Sequence, residues 1–379
     1  MKVLIANIGS TSFKYCLFDM QGERLLAKGK AERICQADGF PDYESAIRHC
    51  LWDRTSRDSL AGLDAVGFKA VHAGPLSGAH LVDDRVLAAM EEFSFHAPAH
   101  NPPYLAAIRA FQQIMPEVPL VVLFETAFFD SMDEASTTYA VPLPWRENLG
   151  IRRYGFHGAS HRAAGERALQ LIPKAGLRHV SCHLGGSSSV AAIRGGIAID
   201  TSFGMSPQSG LPQNNRVGDL DAFALLFAMK RLGLSVDQTA RILANDSGLA
   251  GISGASGDVR DLTAAAAQGD RRAQLALDVF VRAIRHYVGA FLLELGGIDI
   301  LTFSGGVGEN SSEVRSAVCE GMAEFGVILD ADRNRTTPTD GRISAAQSRA
   351  AVYVVPADEE RIVARAAAAV LFMIVQARM

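Results

Sequence analysis

Two stretches decide the fold: VLIANIGSTSFKYCLF at residues 3–18 and HVSCHLGGSSSVAAI at residues 179–193. In each, an apolar run of strand character enters a short turn of small residues, and a second apolar run leaves it. When the turns are aligned, Asn7 falls on His183, close to half the chain away. The pattern favours a duplicated unit that starts with a strand, a Gly-Ser turn and a strand. Two unrelated hairpins are the alternative.

Strand-like and helix-like segments alternate around these two stretches. A polar, charged stretch at 21–64 follows the first hairpin. Apolar runs predict further strands at 66–72, 120–124, 298–303 and 351–355. Apolar periodicity and capping residues predict helices at 84–93, 104–115, 220–232, 235–244, 313–325 and 359–376, and a long amphipathic helix within 269–295. Mixed strands and helices in two related halves predict an α/β fold with a cleft between the halves.

Composition excludes several classes of protein. Of the 379 residues, 48% are hydrophobic, so the chain is not mainly disordered, and a net charge of −4 argues against nucleic acid as a partner. The cysteine number, 5, is odd and no CxxC occurs, which favours neither a disulfide framework nor a zinc ribbon. The apolar runs at 3–6 and 366–375 are too short for a secretory signal or a membrane span. We therefore expect a reduced, soluble, cytoplasmic protein without a membrane partner.

Three turns rich in glycine and serine follow predicted buried strands, at 7–12, 183–188 and 304–311. Glycine lets the backbone approach an anion closely, so that free N–H groups point at it, and the third turn precedes a predicted helix. Each turn alone is more simply explained as a hairpin, but three of them favour a nucleotide cleft. No P-loop, complete G-x-G-x-x-G or G-x-S-x-G motif occurs, which argues against three familiar alternatives.

Six motifs occur in order along the chain: NIGSTSFKYCLFD at 7–19, HNPP at 100–103, YGFHGASH at 154–161, CHLGGSSS at 182–189, GVGENS at 306–311 and PADEE at 356–360. Together they resemble the acetate kinase family, including its propionate kinase relatives, over nearly the whole chain. The resemblance implies a duplicated actin-like ATPase fold of the ribonuclease H-like kind, with two lobes and central mixed sheets. It also implies reversible phosphoryl transfer between ATP and a short carboxylate, giving an acyl phosphate and ADP.

The same resemblance implies a domain division and partners. It places an N-terminal lobe at 1–127, closed by a C-terminal helix at 360–379, and a nucleotide-binding lobe at 128–359. It implies Mg²⁺ or Mn²⁺ as cofactor, ATP or ADP as co-substrate, a small carboxylate as second substrate, and a homodimer.

Residue roles are carried over from the family position by position. His157 matches the histidine that hydrogen-bonds the moving phosphoryl group, and Arg216 matches an arginine whose planar fork grips an oxyanion. Asn7 and Glu359 match positions near the metal, although alone they would be a turn residue and a first-turn helix carboxylate. For His161 we favour a structural role, since the spacing His157-x-x-x-His161 lacks the glutamate of H-E-x-x-H.

The remaining assignments follow from the matching segments. The resemblance implies that the nucleotide and its phosphates contact His183, Gly185, Gly186, Ser187, Asp258, Arg260, Gly305, Gly306, Gly308 and Asn310. It implies that the pocket for the acid's methyl group is lined by Val71, Ala99, Phe156 and Pro207.

Four positions depart from the family pattern. Lys69 stands where the family has an active-site arginine, and Glu125 where it has an aspartate that helps place Mg²⁺; both are expected to act in catalysis here. Gly186 replaces an asparagine, and Ala99 replaces a leucine, which predicts a wider acid pocket. Because both charged replacements keep their sign, we favour a retuned kinase. A non-catalytic nucleotide or acyl-phosphate sensor and a kinase using pyrophosphate remain the alternatives.

Overall fold

The computed structural model describes residues 1–53, 61–337 and 339–378. The chain divides into two compact units, Met1–Asp130 with Asp358–Met379, and Ser131–Ala357. Each unit is built around its own six-stranded mixed sheet. The predicted polar stretch at 21–64 includes residues 54–60, which lie outside the described ranges.

Short hairpin turns and longer crossover segments connect the strands. In chain order they are β1 Lys2–Gly9, β2 Ser12–Asp19, β3 Arg24–Glu32, β4 Leu63–Ala70, β5 Ala79–Leu81, β6 Leu120–Phe124, β7 Arg178–Leu184, β8 Ser188–Arg194, β9 Ile197–Thr201, β10 Ile300–Ser304, β11 Gly341–Arg342 and β12 Ala351–Val354.

The described residues also form a series of α-helices. They are α1 Tyr43–Arg48, α2 Asp84–Glu92, α3 Asn101–Ile114, α4 Glu134–Thr137, α5 Leu143–Leu149, α6 Gly158–Leu171, α7 Ala222–Leu232, α8 Val236–Asn245, α9 Gly248–Ser253, α10 Val259–Ala267, α11 Arg271–Glu294, α12 Gly305–Asn310, α13 Ser312–Cys319, α14 Ala331–Thr336 and α15 Glu359–Arg378. Shorter 3₁₀ turns include Glu125–Phe129, directly after β6. No helix in the described ranges is long and apolar enough to cross a membrane.

The two sheets have the same topology. The first has the order β3-β2-β1-β4-β6-β5 and the second the order β9-β8-β7-β10-β12-β11. In both, the first strand pairs antiparallel with the second and parallel with the fourth, and a short antiparallel strand closes one edge. The aligned positions Asn7 and His183 pair across their hairpins with Lys14 and Ser189. The predicted duplication and the α/β class are confirmed.

Burial explains the sequence of the central strands. All five residues of β6 and all five of β10 are buried, as expected for strands covered on both faces. The long helix α11 buries one stripe of residues against the second sheet: Ala273, Ala276, Phe280, Ile284, Val288 and Phe291. Their spacing of three and four is that of an amphipathic helix, which is the pattern the sequence predicted.

Several predicted boundaries are wrong for physical reasons. Helix α3 begins at Asn101 and not after the two prolines, because proline is tolerated in the first turn of a helix. The segment 304–311 is mostly helical (α12) rather than a turn. Strand β3 lies in the polar stretch at 21–64, where an edge position leaves most of its side chains at least partly exposed.

Candidate active site

Three parallel strands of the first unit end at one edge of the sheet, and each carries a predicted site residue there. Asn7 lies near the end of β1, Lys69 near the end of β4, and Glu125 directly after β6. The ladders bring them together, since Ala6 pairs with Phe68 and Ala70 with Phe124. The carboxyl ends of parallel strands are where open α/β sheets bind ligands.

Lys69 forms a sheltered ion pair with the first residue of α15. Its Nζ lies 2.8 Å from Glu359 Oε2, and the two side chains are only 17% and 13% exposed. Burial alone would lower the pKa of Lys69, but the carboxylates of Glu359 and Glu125 outweigh it and raise this pKa above its ordinary value. Lys69 is therefore a fixed cation over the whole physiological pH range.

The same edge holds two residues that the sequence analysis missed. Asn7 Nδ2 donates to Glu360 Oε1 at 3.2 Å, so the amide contacts the neighbour of the predicted metal ligand. Tyr104 is buried, its hydroxyl accepts from Ile8 N at 3.2 Å, and burial raises its pKa above the ordinary value. The position of Glu360 next to Glu359 in PADEE could have indicated its role. Nothing in the sequence around Tyr104, which lies in a helix, indicated a site residue.

This cluster has the donor chemistry of a magnesium site. Its carboxylate and amide oxygens, from Asn7, Glu125, Glu359 and Glu360, are the hard ligands that Mg²⁺ prefers. Among the described residues, no three His, Cys, Asp or Glu side chains are arranged to enclose a metal ion. Mg²⁺ commonly binds through one or two carboxylates together with waters and substrate phosphates, so the residues fit this ion.

The second unit carries a cluster of histidine and serine side chains. His157 precedes α6 with φ 58°, a left-handed conformation that costs roughly 1 kcal/mol or more in a non-glycine residue. Its Nδ1 lies 2.8 Å from Ser189 Oγ, and its ring packs against that of His183 with centroids 4.2 Å apart and the planes tilted by 38°. His183 Nδ1 in turn lies 2.7 Å from Ser160 Oγ. Strained residues that are held this firmly are typical of functional sites.

His161 is the buried centre of this cluster. Its Nδ1 lies 2.9 Å from Ser181 Oγ and its Nε2 lies 2.8 Å from Ser189 Oγ. Burial, with smaller contributions from His183 and His179, lowers the pKa of His161 well below its ordinary value, so the ring is neutral. These contacts support the structural role expected for His161.

Arg216 lies in a loop whose oxygen atoms surround its guanidinium group. Its Nη1 lies 3.3 Å from Ser187 Oγ and 3.2 Å from Gln213 Oε1, and it approaches the Pro207 carbonyl at 3.5 Å. Burial lowers the pKa of Arg216 to about 10, which still leaves it cationic at neutral pH. Gln213 is the first residue of QNNRVGD and lies three residues before Arg216, but nothing in the sequence marked it as a partner of this arginine.

A cavity of about 750 Å³ in the second unit brings six predicted nucleotide residues together. Gly185, Gly186, Asp258, Arg260, Gly306 and Asn310 line it. His183, Ser187, Gly305 and Gly308 do not belong to its lining. Gly305 has φ 77°, and a Cβ there would lie 2.6 Å from the Leu184 carbonyl oxygen, so close packing against β7 explains this glycine.

Asn214 also lines this cavity, beside the glycine that departs from the family pattern. Its N–H donates to the Gly186 carbonyl at 3.2 Å. A Cβ on Gly186 would lie 3.4 Å from Asn214 Nδ2. The amide of Asn214 therefore stands next to the place where an asparagine side chain at 186 would begin.

The four residues predicted for the acid pocket are divided between the two units. Val71 and Ala99 belong to the first unit, and Phe156 and Pro207 to the second. Phe156 is buried and packs edge-on against Phe203 with centroids 5.5 Å apart. The cluster around Lys69 and Glu359 likewise belongs to the first unit. His157, Arg216 and the cavity belong to the second unit.

Comparison with known proteins identifies the relatives of this chain. The model of the acetokinase family matches residues 2–365. The chain belongs to the acetokinase family. It is 39% identical to the acetate kinase of Bacillus cytotoxicus over 96% of this chain and 97% of that protein. It is also 39% identical to the acetate kinase of Shouchella clausii over 96% and 98%.

Solved structures of the acetokinase family agree with this assignment. The acetate kinase of Porphyromonas gingivalis has a TM-score of 0.87 at 34% identity, covering 98% of this chain and 99% of that one. A propionate kinase from Francisella tularensis has a TM-score of 0.90 at 29% identity, covering 96% and 98%. The predicted resemblance and the duplicated actin-like fold class are confirmed.

Proposed function

We propose that this protein is an ATP-dependent carboxylate kinase that reversibly transfers the γ-phosphoryl group of ATP to acetate or a related small acid. The observation that carries the proposal is the match to the acetokinase family over residues 2–365. The fixed cations Lys69 and Arg216 support it, because phosphoryl transfer is catalysed mainly by positioning and by neutralising charge. No observation favours pyrophosphate as donor or a non-catalytic role.

The cavity of the second unit is the proposed nucleotide site. Its volume of about 750 Å³ lies in the usual range for small-molecule sites. Asp258 caps α10 and binds the Arg260 guanidinium at 2.6 Å, which holds this exposed arginine at the cavity. Asn214 supplies an amide beside Gly186, in place of the asparagine that the family pattern expects there. With this replacement the proposed phosphate turn would keep a polar donor.

The reaction needs no general base, because a carboxylic acid is already ionised at neutral pH. The acid's carboxylate attacks the γ-phosphorus, and the bond from this phosphorus to the bridging oxygen of ADP breaks, so that ADP leaves. Lys69, Arg216 and a donor on His157 offset charge on the transferring oxygens. Asn7, Glu125 and Glu359 would hold Mg²⁺, which neutralises phosphate charge when bound. Lys69 also binds Glu359 Oε2, so this lysine orients a carboxylate of the metal cluster.

The acid itself is proposed to be acetate, propionate or a slightly larger homologue. Val71, Phe156 and Pro207 are buried apolar residues of the predicted pocket, and Ala99 is half-buried. Because alanine is smaller than the leucine of the family pattern, we expect Ala99 to let the acid carry an additional methylene group, which is worth about 0.8 kcal/mol when buried. We therefore expect propionate to be used at least as well as acetate.

The test is formation of acyl phosphate from ATP, Mg²⁺ and a panel of acids, trapped as the hydroxamate. Acetate and propionate should give product, and Arg216→Leu should lower kcat by about 10²-fold, the usual effect of removing one oxyanion donor. Arg152→Leu, an exposed arginine outside the site, is the matched control and should leave the rate unchanged. ATP binding by calorimetry without product from any acid would contradict the kinase and favour a sensor.

We also propose a homodimer in the cytoplasm. The described side chains of helix α7 include no buried residue, although three large apolar ones, Phe223, Leu226 and Phe227, lie on one face. A large exposed apolar patch on a soluble protein usually marks an interaction surface. A second copy of this chain is the occupant that the family resemblance implies. The cytoplasmic location is inferred from the cysteine content of the sequence.

A further inference from the structure

Four side chains of the second unit form a continuous row of hydrogen bonds that ends at His157. Ser181 Oγ lies 2.9 Å from His161 Nδ1, His161 Nε2 lies 2.8 Å from Ser189 Oγ, and Ser189 Oγ lies 2.8 Å from His157 Nδ1. The two serines come from the neighbouring antiparallel strands β7 and β8, and His161 from α6. Ser181, Ser189 and His161 are fully buried, so water does not compete for these bonds.

The direction of each hydrogen bond along this row follows from the hydroxyl group of Ser181. A serine hydroxyl has one proton to donate, and a buried hydroxyl without an acceptor is costly. Within the described residues, His161 Nδ1 is the one hydrogen-bond partner of the Ser181 hydroxyl, so Ser181 donates to it. The neutral His161 then carries its single proton on Nε2 and donates to Ser189 Oγ.

Ser189 accepts the proton of His161 and has its own proton left for His157. That proton is donated to His157 Nδ1, which is its second partner. A neutral imidazole that accepts at Nδ1 carries its proton on Nε2. We propose that Ser181, His161 and Ser189 are positioning residues that hold His157 as the Nε2–H tautomer, ready to donate from that nitrogen without first becoming an imidazolium.

This inference rests on the proposed function for its purpose, since a donor on His157 is useful only if an oxyanion is presented to it. A fixed Nε2–H is already aimed when charge develops in the transition state, and no reorganisation is needed at that moment. The left-handed backbone of His157 (φ 58°) and the ring of His183, which packs against the imidazole, hold it in this orientation. The tautomer itself is a property of the protein without substrate.

The direct measurement is a two-bond ¹H–¹⁵N correlation spectrum of the full-length protein labelled with ¹⁵N-histidine, at about pH 9, where exposed histidines are neutral. The chain has 10 histidines, and His157 is assigned by loss of its signals in His157→Gln. We expect a protonated Nε2 and an unprotonated Nδ1. A His157 that is mainly Nδ1–H in the wild-type protein would overturn the proposal.

Variants then test whether the row sets the tautomer. Ser181→Ala removes the donor that orders the row, so both tautomers of His157 should become populated and kcat should fall about tenfold or more with unchanged KM. Ser181→Thr keeps a hydroxyl and should restore the wild-type pattern. If Ser181→Ala keeps the wild-type tautomer, the proposal fails. Ser189→Ala, which breaks the last link, gives the same test if Ser181→Ala does not fold.

A matched control removes a similar bond outside the row. Thr302→Val breaks the buried contact between Thr302 Oγ1 and His179 Nε2, 2.8 Å long, and should leave the His157 signals unchanged. A change as large as that of Ser181→Ala would contradict the assignment to a specific row. The expected tautomer in a protein that forms no acyl phosphate would support the row and overturn the proposed function.

Discussion

At the scale of single residues, each of three proposed site residues is held in place by polar partners within its own unit. Lys69 binds Glu359, Arg216 lies among the oxygens of Ser187 and Gln213, and His157 contacts Ser189. None of these contacts removes the charge of the two cations at neutral pH. Electrostatic preorganisation of this kind is the main source of catalysis in phosphoryl transfer.

Asn214 offers a prediction at this scale, because its amide stands beside Gly186 in the cavity. Loss of one polar contact to the nucleotide phosphates should weaken ATP binding about tenfold in Asn214→Gly, as measured by calorimetry. Adding Gly186→Asn to that variant should recover most of the affinity. The new side chain would place an amide in the space that the Asn214 amide has left.

The control for this pair is Asn215→Gly, which changes the neighbouring asparagine outside the cavity lining. It should leave the ATP affinity unchanged. An equal loss in Asn215→Gly, or no recovery in the double variant, would show that Asn214 does not act through the space beside Gly186.

Sequence reasoning at the residue scale found charged and motif residues but missed their supports. His157, Arg216 and Glu359 were named because a motif carried them. Tyr104 and Gln213 were missed, because their roles depend on which strand or loop the fold places beside them. Hydrogen-bond partners distant in the chain leave no local pattern in a single sequence.

At the scale of elements, a carboxylate joins β7 to the start of β10. Asp299 accepts from the Arg178 backbone N–H at 3.0 Å and from its Nη2 at 2.7 Å, and Lys174 Nζ lies 2.8 Å away. Hydrogen bonds from Arg178, and then from Lys174, hold the pKa of Asp299 well below its ordinary value, although burial opposes them. The charged form of Asp299 is thus the one that stabilises the fold.

This depressed pKa predicts a pH-dependent effect of Asp299→Asn. The stabilisation is present above the unfolded-state pKa of aspartate, about 3.9, and is lost as the pH falls through the lower folded-state value. At pH 7 the free energy of unfolding of the variant, measured by urea denaturation, should be about 2 kcal/mol lower than that of the wild-type protein. Towards pH 3 its difference from the wild-type protein should shrink. A difference independent of pH would show that packing, and not charge, links Asp299 to β7.

Helix α7 gives the second prediction at this scale. Phe223 and Phe227 are 78% and 65% exposed, so their replacement by serine should leave the unfolding free energy nearly unchanged. In a homodimer built on this face, Phe223→Ser with Phe227→Ser should reduce the mass measured by light scattering from a dimer to a 40.5 kDa chain. Phe325→Ser, which is exposed on another element, is the control and should keep the dimer. A wild-type protein of monomer mass would contradict the dimer.

Helices and strands were predictable where their burial produced one clear period in the sequence. They were not predictable where their conformation depends on neighbouring elements. The buried runs of β6 and β10 and the apolar stripe of α11 were readable because each has one dominant period. Strand β3 was missed because an edge strand shows no strong alternation. Helix α12 was missed because glycines after a buried strand are typical of a turn, whereas in the structure they form a short helix between β10 and α13.

At the scale of the whole molecule, duplication is the organising fact. Both units repeat one strand order, and in each unit predicted site residues lie at the carboxyl ends of its parallel strands. The repeat was readable from two hairpins that share a Gly-Ser turn. In the second copy His183 stands at the position that Asn7 has in the first, so the two copies present different side chains at one place of the shared framework.

The proposed activity forms a bond between a carboxylate oxygen and the γ-phosphorus of ATP and releases ADP. The most direct measurement is a ³¹P NMR time course of the full-length protein with ATP, Mg²⁺ and propionate. We predict that ATP is converted to ADP while an acyl phosphate resonance grows in equal amount, and that added acyl phosphate and ADP regenerate ATP. Unchanged ATP, or release of inorganic phosphate at a rate independent of the acid, would contradict the account.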